Sequence, residues 1–182
     1  LELMKPWIFD DFKQFLDEVE IKNLCEIGTH KGNTAVQMIL HLLEKNNDFV
    51  YHGYDVFDYA RNNLKFNRQE YNGKGGASKQ FVIKKLDKIK KDYNNFDYFL
   101  YEGLTIDTLI NFTYDFVYLD GGHSYDTVKH DYSKIKNSKL VVFDDAVNKN
   151  NANDVNIFLD ELSQQGKQIQ CYKRWAIIRN YA

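Results

Sequence analysis

The most informative segment of this chain is Leu24-Cys25-Glu26-Ile27-Gly28-Thr29-His30-Lys31-Gly32-Asn33-Thr34. A short apolar run ends in the acidic residue Glu26, and two glycines follow with three residues between them. Gly28 and Gly32 permit backbone angles that a side chain forbids, and a helix that begins near Asn33 points free amides at its surroundings. The segment therefore predicts a strand, a tight turn and a helix that together form a ligand cradle.

The length and composition indicate one globular domain. The 182 residues are enough for one well-buried core and few for two. Hydrophobic residues make up 43% and charged residues 27%, values that are ordinary for a soluble protein, and no apolar run approaches the ~18 residues of a membrane helix. We expect a single domain over residues 1–182 and no membrane partner.

The net charge and the cysteines limit which classes of partner and which cellular compartment we expect. The net charge is -2, which argues against a broad basic face for nucleic acid, because phosphate binding is chiefly electrostatic. Cys25 and Cys171 are the two cysteines, and neither has a partner at zinc-site spacing. With no secretory leader in view, we expect a reduced, cytoplasmic setting. A homodimer is left open.

Helical and extended patterns alternate along nearly the whole chain. A first amphipathic helix is predicted over residues 8–19, within an amino-terminal helical region at 1–20. The predicted strands have nearly continuous apolar runs, as expected for a parallel sheet that is buried on both faces, and two closing strands join through a tight turn. The pattern predicts an α/β three-layer sandwich. The predicted strands cover 23–27, 49–55, 96–101, 115–120, 140–145, 168–172 and 175–179, and further helices 79–92, 105–111, 125–135 and 153–165.

Acidic residues recur where these strands end. In an open parallel sheet, ligands bind outside the carboxyl ends of the strands, close to the point where the strand order reverses. One acid at such an end is unremarkable, whereas the repetition predicts a site. The residues concerned are Glu26, Asp55, Glu102, Asp120, Asp144 and Asp145.

The glycine spacing indicates which ligand the cradle takes. A dinucleotide fingerprint is Gly-x-Gly-x-x-Gly, whereas this chain has Glu26-x-Gly28-x-x-x-Gly32. That pattern resembles the first motif of the class I S-adenosylmethionine-dependent methyltransferases. The resemblance extends from about residue 22 to the carboxyl end and implies a Rossmann-like fold with a mostly parallel seven-stranded sheet that ends in an antiparallel hairpin.

The resemblance implies a set of residues around the cofactor S-adenosyl-L-methionine. Gly28 and its neighbours would pass under the amino-acid part, Glu26 would order that loop, and Asp55 would accept hydrogen bonds from the ribose hydroxyls. The alternative is that Glu26 and Asp55 are solvated strand ends and that Gly28 serves a simple turn. The remaining implied cofactor residues are Thr29, His30, Gly32, Asn33, Glu102, Gly103, Leu104 and Asp120.

A second motif lies in the other half of the chain, Asp120-Gly121-Gly122-His123-Ser124-Tyr125, followed later by Phe143-Asp144-Asp145. It is similar to the methyltransferase domain 24 group and to macrocin-type sugar O-methyltransferases. This resemblance implies that Asp120, Asp144 and Asp145 hold a divalent ion beside the acceptor hydroxyl, and such oxygen ligands suit Mg²⁺. The alternative is that Asp144 caps the next segment and the other two acids are solvated.

His123 and Asp120 are the candidate catalytic residues. Macrocin-type enzymes carry a further acid, thought to act as a base, where this chain has Gly122, so their mechanism does not transfer whole. Because an imidazole ordinarily titrates near neutral pH, His123 can replace that base and take a proton from a hydroxyl acidified by a metal. The alternative is that His123 hydrogen-bonds its loop or opens the helix at Ser124.

The acceptor is predicted to be a small molecule such as a sugar or nucleotide sugar, bound by an acceptor-recognition insertion at residues 56–95. The lysine-rich helix at 79–92 is either a solvated face or a means to attract an anionic acceptor. The sequence thus predicts an O-methyltransferase, and the alternative is a non-catalytic cofactor-binding or regulatory protein. Amino-directed DNA methyltransferases are excluded because their Asn/Asp-Pro-Pro-Tyr motif is absent and Pro6 is the one proline.

Overall fold

The structure, a computed structural model, describes residues 5–45, 47–62, 77–146 and 154–181. Within these ranges a single seven-stranded sheet forms the centre of the molecule. Its strands are β1 (Asn23–Ile27), β2 (Phe49–Asp55), β3 (Phe96–Glu102), β4 (Phe116–Leu119), β5 (Leu140–Phe143), β6 (Gln170–Tyr172) and β7 (Trp175–Arg179).

The sheet has the order β3-β2-β1-β4-β5-β7-β6. Strands β1 to β5 pair in parallel, while β7 lies antiparallel between β5 and β6. The order reverses between β1 and β4, which is where an open α/β sheet binds its ligand. The Rossmann-like α/β fold, with its mostly parallel sheet and antiparallel end, is confirmed.

Helices cover both faces of the sheet, and two apolar cores separate the three layers. Phe12, Met38 and Leu86 belong to one core, whereas Val128 and Phe158 belong to the other. The helices are α1 (Pro6–Leu16), α2 (Asn33–Glu44), α3 (Tyr59–Asn62), α4 (Lys79–Asp92), α5 (Thr105–Thr108), α6 (Tyr125–Ile135) and α7 (Asp154–Gln164).

The central strands are buried on both faces, as their apolar runs predict. In β1, Leu24 packs into the core beneath α1 and α2, whereas its neighbour Cys25 packs into the core beneath α6 and α7. Both side chains are fully buried. Because successive side chains of a strand point to opposite faces, an uninterrupted apolar run is what a central strand requires.

Several predicted boundaries differ from the structure. Helix α1 ends at Leu16 rather than at residue 19. Helix α5 ends at Thr108 rather than at residue 111, because Leu109 turns to an extended conformation and becomes buried. Strand β5 ends at Phe143, since Asp145 adopts a left-handed conformation with φ 53° and cannot continue the ladder. The short helix α3 was not predicted.

Part of the predicted insertion at 56–95 is an ordinary crossover helix. Helix α4 buries Val82 and Leu86 in the same core as α1 and α2 and leads into β3. Residues 63–76 of that segment lie outside the described residues. No helix among the described residues is long and apolar enough to cross a membrane.

Candidate functional site

The parallel strands bring their carboxyl ends, and the loops beyond them, to one edge of the sheet. The Asp120 amide donates to the Ile27 carbonyl oxygen at 2.8 Å, which ties the end of β4 to that of β1. The Asp144 amide donates to the Leu119 carbonyl oxygen at 3.0 Å in the same way. The acidic residues predicted to form a site therefore follow adjacent strands.

The glycine loop comprises residues 28–33. Its first half, residues 28–30, contacts the end of β2 and Asp120. The amides of Gly28 and Thr29 both donate to the Tyr54 carbonyl oxygen, at 2.8 and 3.2 Å. Gly28 has φ 98°, and a Cβ there would lie 2.0 Å from the Asp120 carbonyl oxygen. Only glycine fits, because any side chain would collide with backbone.

The second half of the loop leads into α2. Gly32 has φ 68° and occupies the N-cap of α2, and no side chain caps the helix there. A Cβ on Gly32 would lie 3.0 Å from Val82 Cγ1, so α4 packs directly on this glycine. Asn33 is the first residue of α2. The glycine pattern thus serves a left-handed turn and a close helix contact at this position.

Glu26 is buried inside the sheet and faces other polar groups there rather than solvent. Its side chain is 1% exposed, and Oε2 accepts a hydrogen bond from the Tyr51 hydroxyl at 2.5 Å. The Tyr51 hydroxyl also lies 3.0 Å from Thr29 Oγ1, which connects Glu26 to the glycine loop. Burial raises the pKa of the Glu26 carboxyl to about 8, against the lowering effect of the Tyr51 hydrogen bond. Burial therefore favours the protonated form of Glu26, which acts on the loop from within the sheet.

The absence of a side chain at Gly53 makes room for this network. A Cβ on Gly53 would lie 2.7 Å from both Thr29 Oγ1 and the Tyr51 hydroxyl oxygen. The sequence analysis did not single out Tyr51 or Gly53. Gly53 could have been identified from the sequence, because a glycine in the interior of a predicted strand marks a close approach of other atoms.

Asp55 is fixed by backbone donors. Its Oδ2 accepts from the His30 amide at 2.7 Å and its Oδ1 from the Phe57 amide at 2.8 Å. Burial raises the pKa of Asp55, and these amide hydrogen bonds oppose that rise. Each carboxylate oxygen has a further lone pair for a hydroxyl donor, so this half-buried group suits a vicinal diol.

The segment after β3 lies next to Asp55. The Gly103 amide donates to the Asp55 carbonyl oxygen at 3.0 Å, and Gly103 itself has φ 133°. Glu102 is exposed, with its Oε2 4.0 Å from Lys79 Nζ, and Leu104 is the half-buried N-cap of α5. The structure therefore brings 102–104 to the same strand end as Asp55, as the sequence predicts.

Asp120 also belongs to a cluster of acidic and histidine side chains at the ends of β4 and β5. Asp120, His123 and Asp145 each offer a ligand atom, and these atoms lie within 4.8 Å of one another. His123 Nε2 is 3.5 Å from Asp145 Oδ2. Ser124 caps α6 by accepting from the Thr127 amide at 3.4 Å, so His123 directly precedes the helix cap.

Asp144 is not part of this group, which differs from the predicted metal set of Asp120, Asp144 and Asp145. Its side chain is 6% exposed, and Oδ2 accepts from Arg174 Nη2 at 2.7 Å. Arg174 also donates to Asp145 Oδ1. Burial raises the pKa of Asp144, whereas hydrogen bonding from His123 and the charge of Arg174 lower the pKa of Asp145.

The chemistry of the group fits a divalent cation. Carboxylate and imidazole together are ligands for Mn²⁺, Fe²⁺ and Zn²⁺, and carboxylates alone also suit Mg²⁺. Two buried atoms beside the group, His123 Nδ1 and Asp144 Oδ1, have no hydrogen-bond partner among the described residues. Buried polar atoms are normally satisfied, so such atoms indicate a place where a bound species completes the site.

Arg174, the counterion of the acid pair, was not predicted from the sequence. It lies in the turn between β6 and β7, and β7 pairs with β5 so that Ala176 is opposite Phe143. That register brings the turn beside Asp144 and Asp145. A single arginine in a predicted hairpin turn carries no signal of this contact, because the contact depends on which strand the hairpin joins.

The sequence of this chain matches a known protein family. The family model described as a methyltransferase domain, Methyltransf_24, matches residues 25–146. No curated protein sequence matches the chain.

Solved structures with the same fold share little sequence with this chain. The O-methyltransferase NovP is 15% identical, with a TM-score of 0.71 over 96% of this chain and 80% of NovP. CalS11, the TDP-rhamnose 3'-O-methyltransferase of calicheamicin biosynthesis, is 18% identical, with a TM-score of 0.58 over 97% of this chain and 79% of its own. The SAH-bound methyltransferase PaMTH1 of Podospora anserina is 11% identical, with a TM-score of 0.52 over 94% and 76%. At these identities the likeness is one of fold.

The family match covers most of the chain and includes both halves of the site, from the glycine loop to the acid pair. The chain therefore belongs to the methyltransferase domain 24 family of class I S-adenosylmethionine-dependent methyltransferases.

Proposed function

We propose that this chain transfers the methyl group of S-adenosylmethionine to a hydroxyl of a small molecule such as a sugar or nucleotide sugar, with a divalent metal as an aid. The observation that carries the proposal is the contact between the two halves of the site. Gly28 packs against the Asp120 backbone, and the Asp120 side chain belongs to the cluster with His123 and Asp145. A donor bound on the glycine loop would thus lie beside groups able to activate an acceptor.

The donor side consists of residues that bind and orient. Bound S-adenosylmethionine supplies an electrophilic methyl group on a sulfonium centre. Asp55, with both oxygens held by amides, would accept the ribose hydroxyls, and 102–104 would line the adenine side. Glu26 would act indirectly, through Tyr51 and Thr29. Such fixed positioning of two reactants lowers a barrier by up to ~7–11 kcal/mol.

On the acceptor side, Asp120, His123 and Asp145 would hold the metal. A divalent ion at these residues would lower the pKa of a bound hydroxyl and so make it a better nucleophile. Two roles are open to His123, as a metal ligand or as the base that takes the hydroxyl proton. Asp144, which pairs with Arg174, would then support Asp145 rather than bind the ion.

Two observations favour a sugar or nucleotide sugar as the acceptor. CalS11, which shares the fold, acts on a TDP-linked sugar. In this chain Arg174 is 44% exposed beside the acid pair and can approach an anionic group of an acceptor. The proposed acceptor segment at 56–95 contributes α4, on which Lys84, Lys88, Lys90 and Lys91 are exposed to solvent.

The test is methyl transfer from labelled S-adenosylmethionine to a panel of sugars, nucleotide sugars and catechols. Each acceptor is tried with Mg²⁺, with Mn²⁺ and with a chelator, and S-adenosylhomocysteine binding is measured by calorimetry. Transfer to a hydroxyl supports the proposal. Tight binding without transfer to any acceptor favours the non-catalytic alternative, and absence of both binding and transfer contradicts the proposal.

A second arm separates the two roles of His123. We expect Asp145→Asn to weaken Mn²⁺ binding at least about tenfold and to leave S-adenosylhomocysteine binding within about twofold. If His123→Gln weakens Mn²⁺ binding as much, His123 is a ligand. If the variant binds Mn²⁺ normally and loses only turnover, His123 is the base. Turnover that is indifferent to the chelator contradicts the metal.

A further inference from the structure

Lys85, on α4, reaches across to the second half of the glycine loop. Its Nζ donates to the Lys31 carbonyl oxygen at 2.7 Å and to Asn33 Oδ1 at 2.6 Å. These two oxygens flank Gly32, the N-cap of α2. One ammonium group thus fixes the backbone before the cap and the side chain after it.

The position of this ammonium group is set by the core. Val82 and Leu86 on α4 are fully buried, and Val82 lies against Gly32. Lys85 follows Val82 by three residues and therefore shares its side of the helix. The Phe81 ring, with its centroid 4.6 Å from Lys85 Nζ, supports the ammonium group from the preceding turn.

Lys85 differs from the other lysines of α4 in its partners. Among the residues that the structure describes, no carboxylate pairs with it, and its hydrogen bonds go to two neutral oxygens. By contrast, Lys90 pairs with Asp97 and Lys79 lies near Glu102. An ammonium group has three hydrogen-bond donors and a positive charge. Because its partners are neutral oxygens, Lys85 brings a positive charge to the start of α2 that these partners do not cancel.

The two halves of the loop are therefore held by different elements. Gly28, Thr29 and His30 are bound by the end of β2, the strand that also carries Asp55. Lys85 of α4 binds Lys31 and Asn33, while the Gly32 amide between them donates to the Thr29 carbonyl oxygen at 2.8 Å. A change at Lys85 should disturb the second half of the loop and leave the Asp55 side in place.

We propose that Lys85 is a positioning residue of the cofactor site, which holds residues 31–33 in the conformation that receives the amino-acid part of S-adenosylmethionine. The inference rests on the proposed function, in which S-adenosylmethionine binds on the glycine loop, and on the family resemblance, which implies that the amino-acid part lies there. The sequence analysis treated Lys85 only as one member of a lysine-rich face.

The test compares two ligands that differ in the amino-acid part. S-adenosylhomocysteine carries it, whereas 5'-methylthioadenosine has the adenine and ribose without it. We expect Lys85→Met to weaken S-adenosylhomocysteine about tenfold, the effect of losing hydrogen bonds from a charged group, and 5'-methylthioadenosine less than about twofold. Lys85→Arg keeps the donors and should restore most of the affinity.

Lys84→Met is the matched control, because Lys84 is exposed and is the neighbour of Lys85 on the same helix. It should leave both affinities within about twofold of the wild type. Calorimetric titration gives the affinities, and circular dichroism monitors folding. If Lys85→Met fails to fold, Lys85→Gln against Lys85→Arg makes the same comparison.

Two results overturn the inference while the proposed function stands: unchanged S-adenosylhomocysteine affinity in Lys85→Met, or an equal loss for both ligands. Absence of binding by the wild-type protein overturns the proposed function, and the inference with it. A selective loss for the ligand with the amino-acid part, rescued by arginine, supports the inference.

Discussion

The ends of β1 and β2 and the ends of β4 and β5 both carry acidic residues, yet the two regions hold them by different means. Glu26 and Asp55 are bound by a phenol and by backbone amides, and burial raises the pKa of both. Asp144 and Asp145 share Arg174, and Asp145 also faces His123. In the first region the acids face neutral hydrogen-bond donors, whereas in the second region they face the cation of Arg174.

An acidic residue at a strand end therefore does not by itself indicate a charged site. Burial with neutral donors favours the protonated form, and a nearby cation favours the ionised form. The two regions should therefore respond differently to steric, pH and charge changes. The glycine loop, which connects them, should be the most sensitive to a change of shape.

The largest expected effect is steric. Gly28→Ala places a Cβ 2.0 Å from the Asp120 carbonyl oxygen at φ 98°, so backbone must move. We expect a loss of about 3–5 kcal/mol in the free energy of unfolding, measured with urea, together with loss of S-adenosylhomocysteine binding.

Gly166→Ala is the matched control for that prediction. Gly166 also has a positive φ, 86°, but a Cβ there would meet nothing within 4 Å. Its cost should be only the left-handed strain of about 1–2 kcal/mol. Equal losses in the two variants would show that the contact with Asp120 does not matter.

The next effect is on pH dependence in the first region. Because the pKa of Glu26 is raised from 4.5 to about 8, the folded protein holds a proton that the unfolded chain releases between these values. Wild-type stability therefore falls as pH rises from about 5 to 8, by at most about 1.4 kcal/mol per pH unit from this group. Above pH 8 this contribution levels off.

Glu26→Gln removes the titratable carboxyl group and keeps an oxygen that accepts a hydrogen bond from the Tyr51 hydroxyl. We expect the variant to gain about 3–4 kcal/mol relative to the wild type between pH 5 and pH 8 in urea unfolding series. A parallel pair of stability curves would mean that Glu26 is ionised in the folded protein at neutral pH.

A smaller effect is expected in the second region. Arg174→Met leaves Asp144, 6% exposed, without its cation. Since Arg174 is itself 44% exposed, solvent screens the pair, and we expect a loss of about 1–2 kcal/mol at pH 7. The loss should shrink in acid, where Asp144 is protonated.

The double variant Arg174→Met/Asp144→Asn tests whether that loss arises from the pair. It should recover most of the stability, and a double-mutant cycle gives the coupling. Lys173→Met is the control, because Lys173 pairs with Asp11 at the surface and its loss should leave the free energy of unfolding nearly unchanged. Additive losses in the cycle would contradict a coupled pair.

Much of the fold could be predicted from local patterns. The runs 49–55 and Tyr125–Ile135 contain their own periodicity, so β2 and α6 agree with the predictions at both ends. Boundaries failed where a tertiary contact decided them. Leu109 leaves the helix to become buried, and Asp145 leaves the strand in a left-handed turn.

The candidate site divides in the same manner. The sequence predicted that Glu26, Asp55, Asp120 and Asp145 lie at one edge of the sheet, because they follow parallel strands. It did not predict that Glu26 is buried with Tyr51, or that Asp144 turns to Arg174. These contacts join residues 25 and 30 positions apart, and no local pattern encodes them.

The alternation of strands and helices, the glycine turn and the acids at the strand ends could be read from the sequence alone, since each depends on local backbone preference and hydrophobic periodicity. The tertiary structure was needed to reveal which of these acids are buried among neutral donors and which face a cation, and which lysine and arginine contact the loop and the acid pair. The physical reason is that burial and charge pairing depend on the packing of distant elements: α4 delivers Lys85 to the glycine loop, and the β6–β7 turn delivers Arg174 to the acid pair.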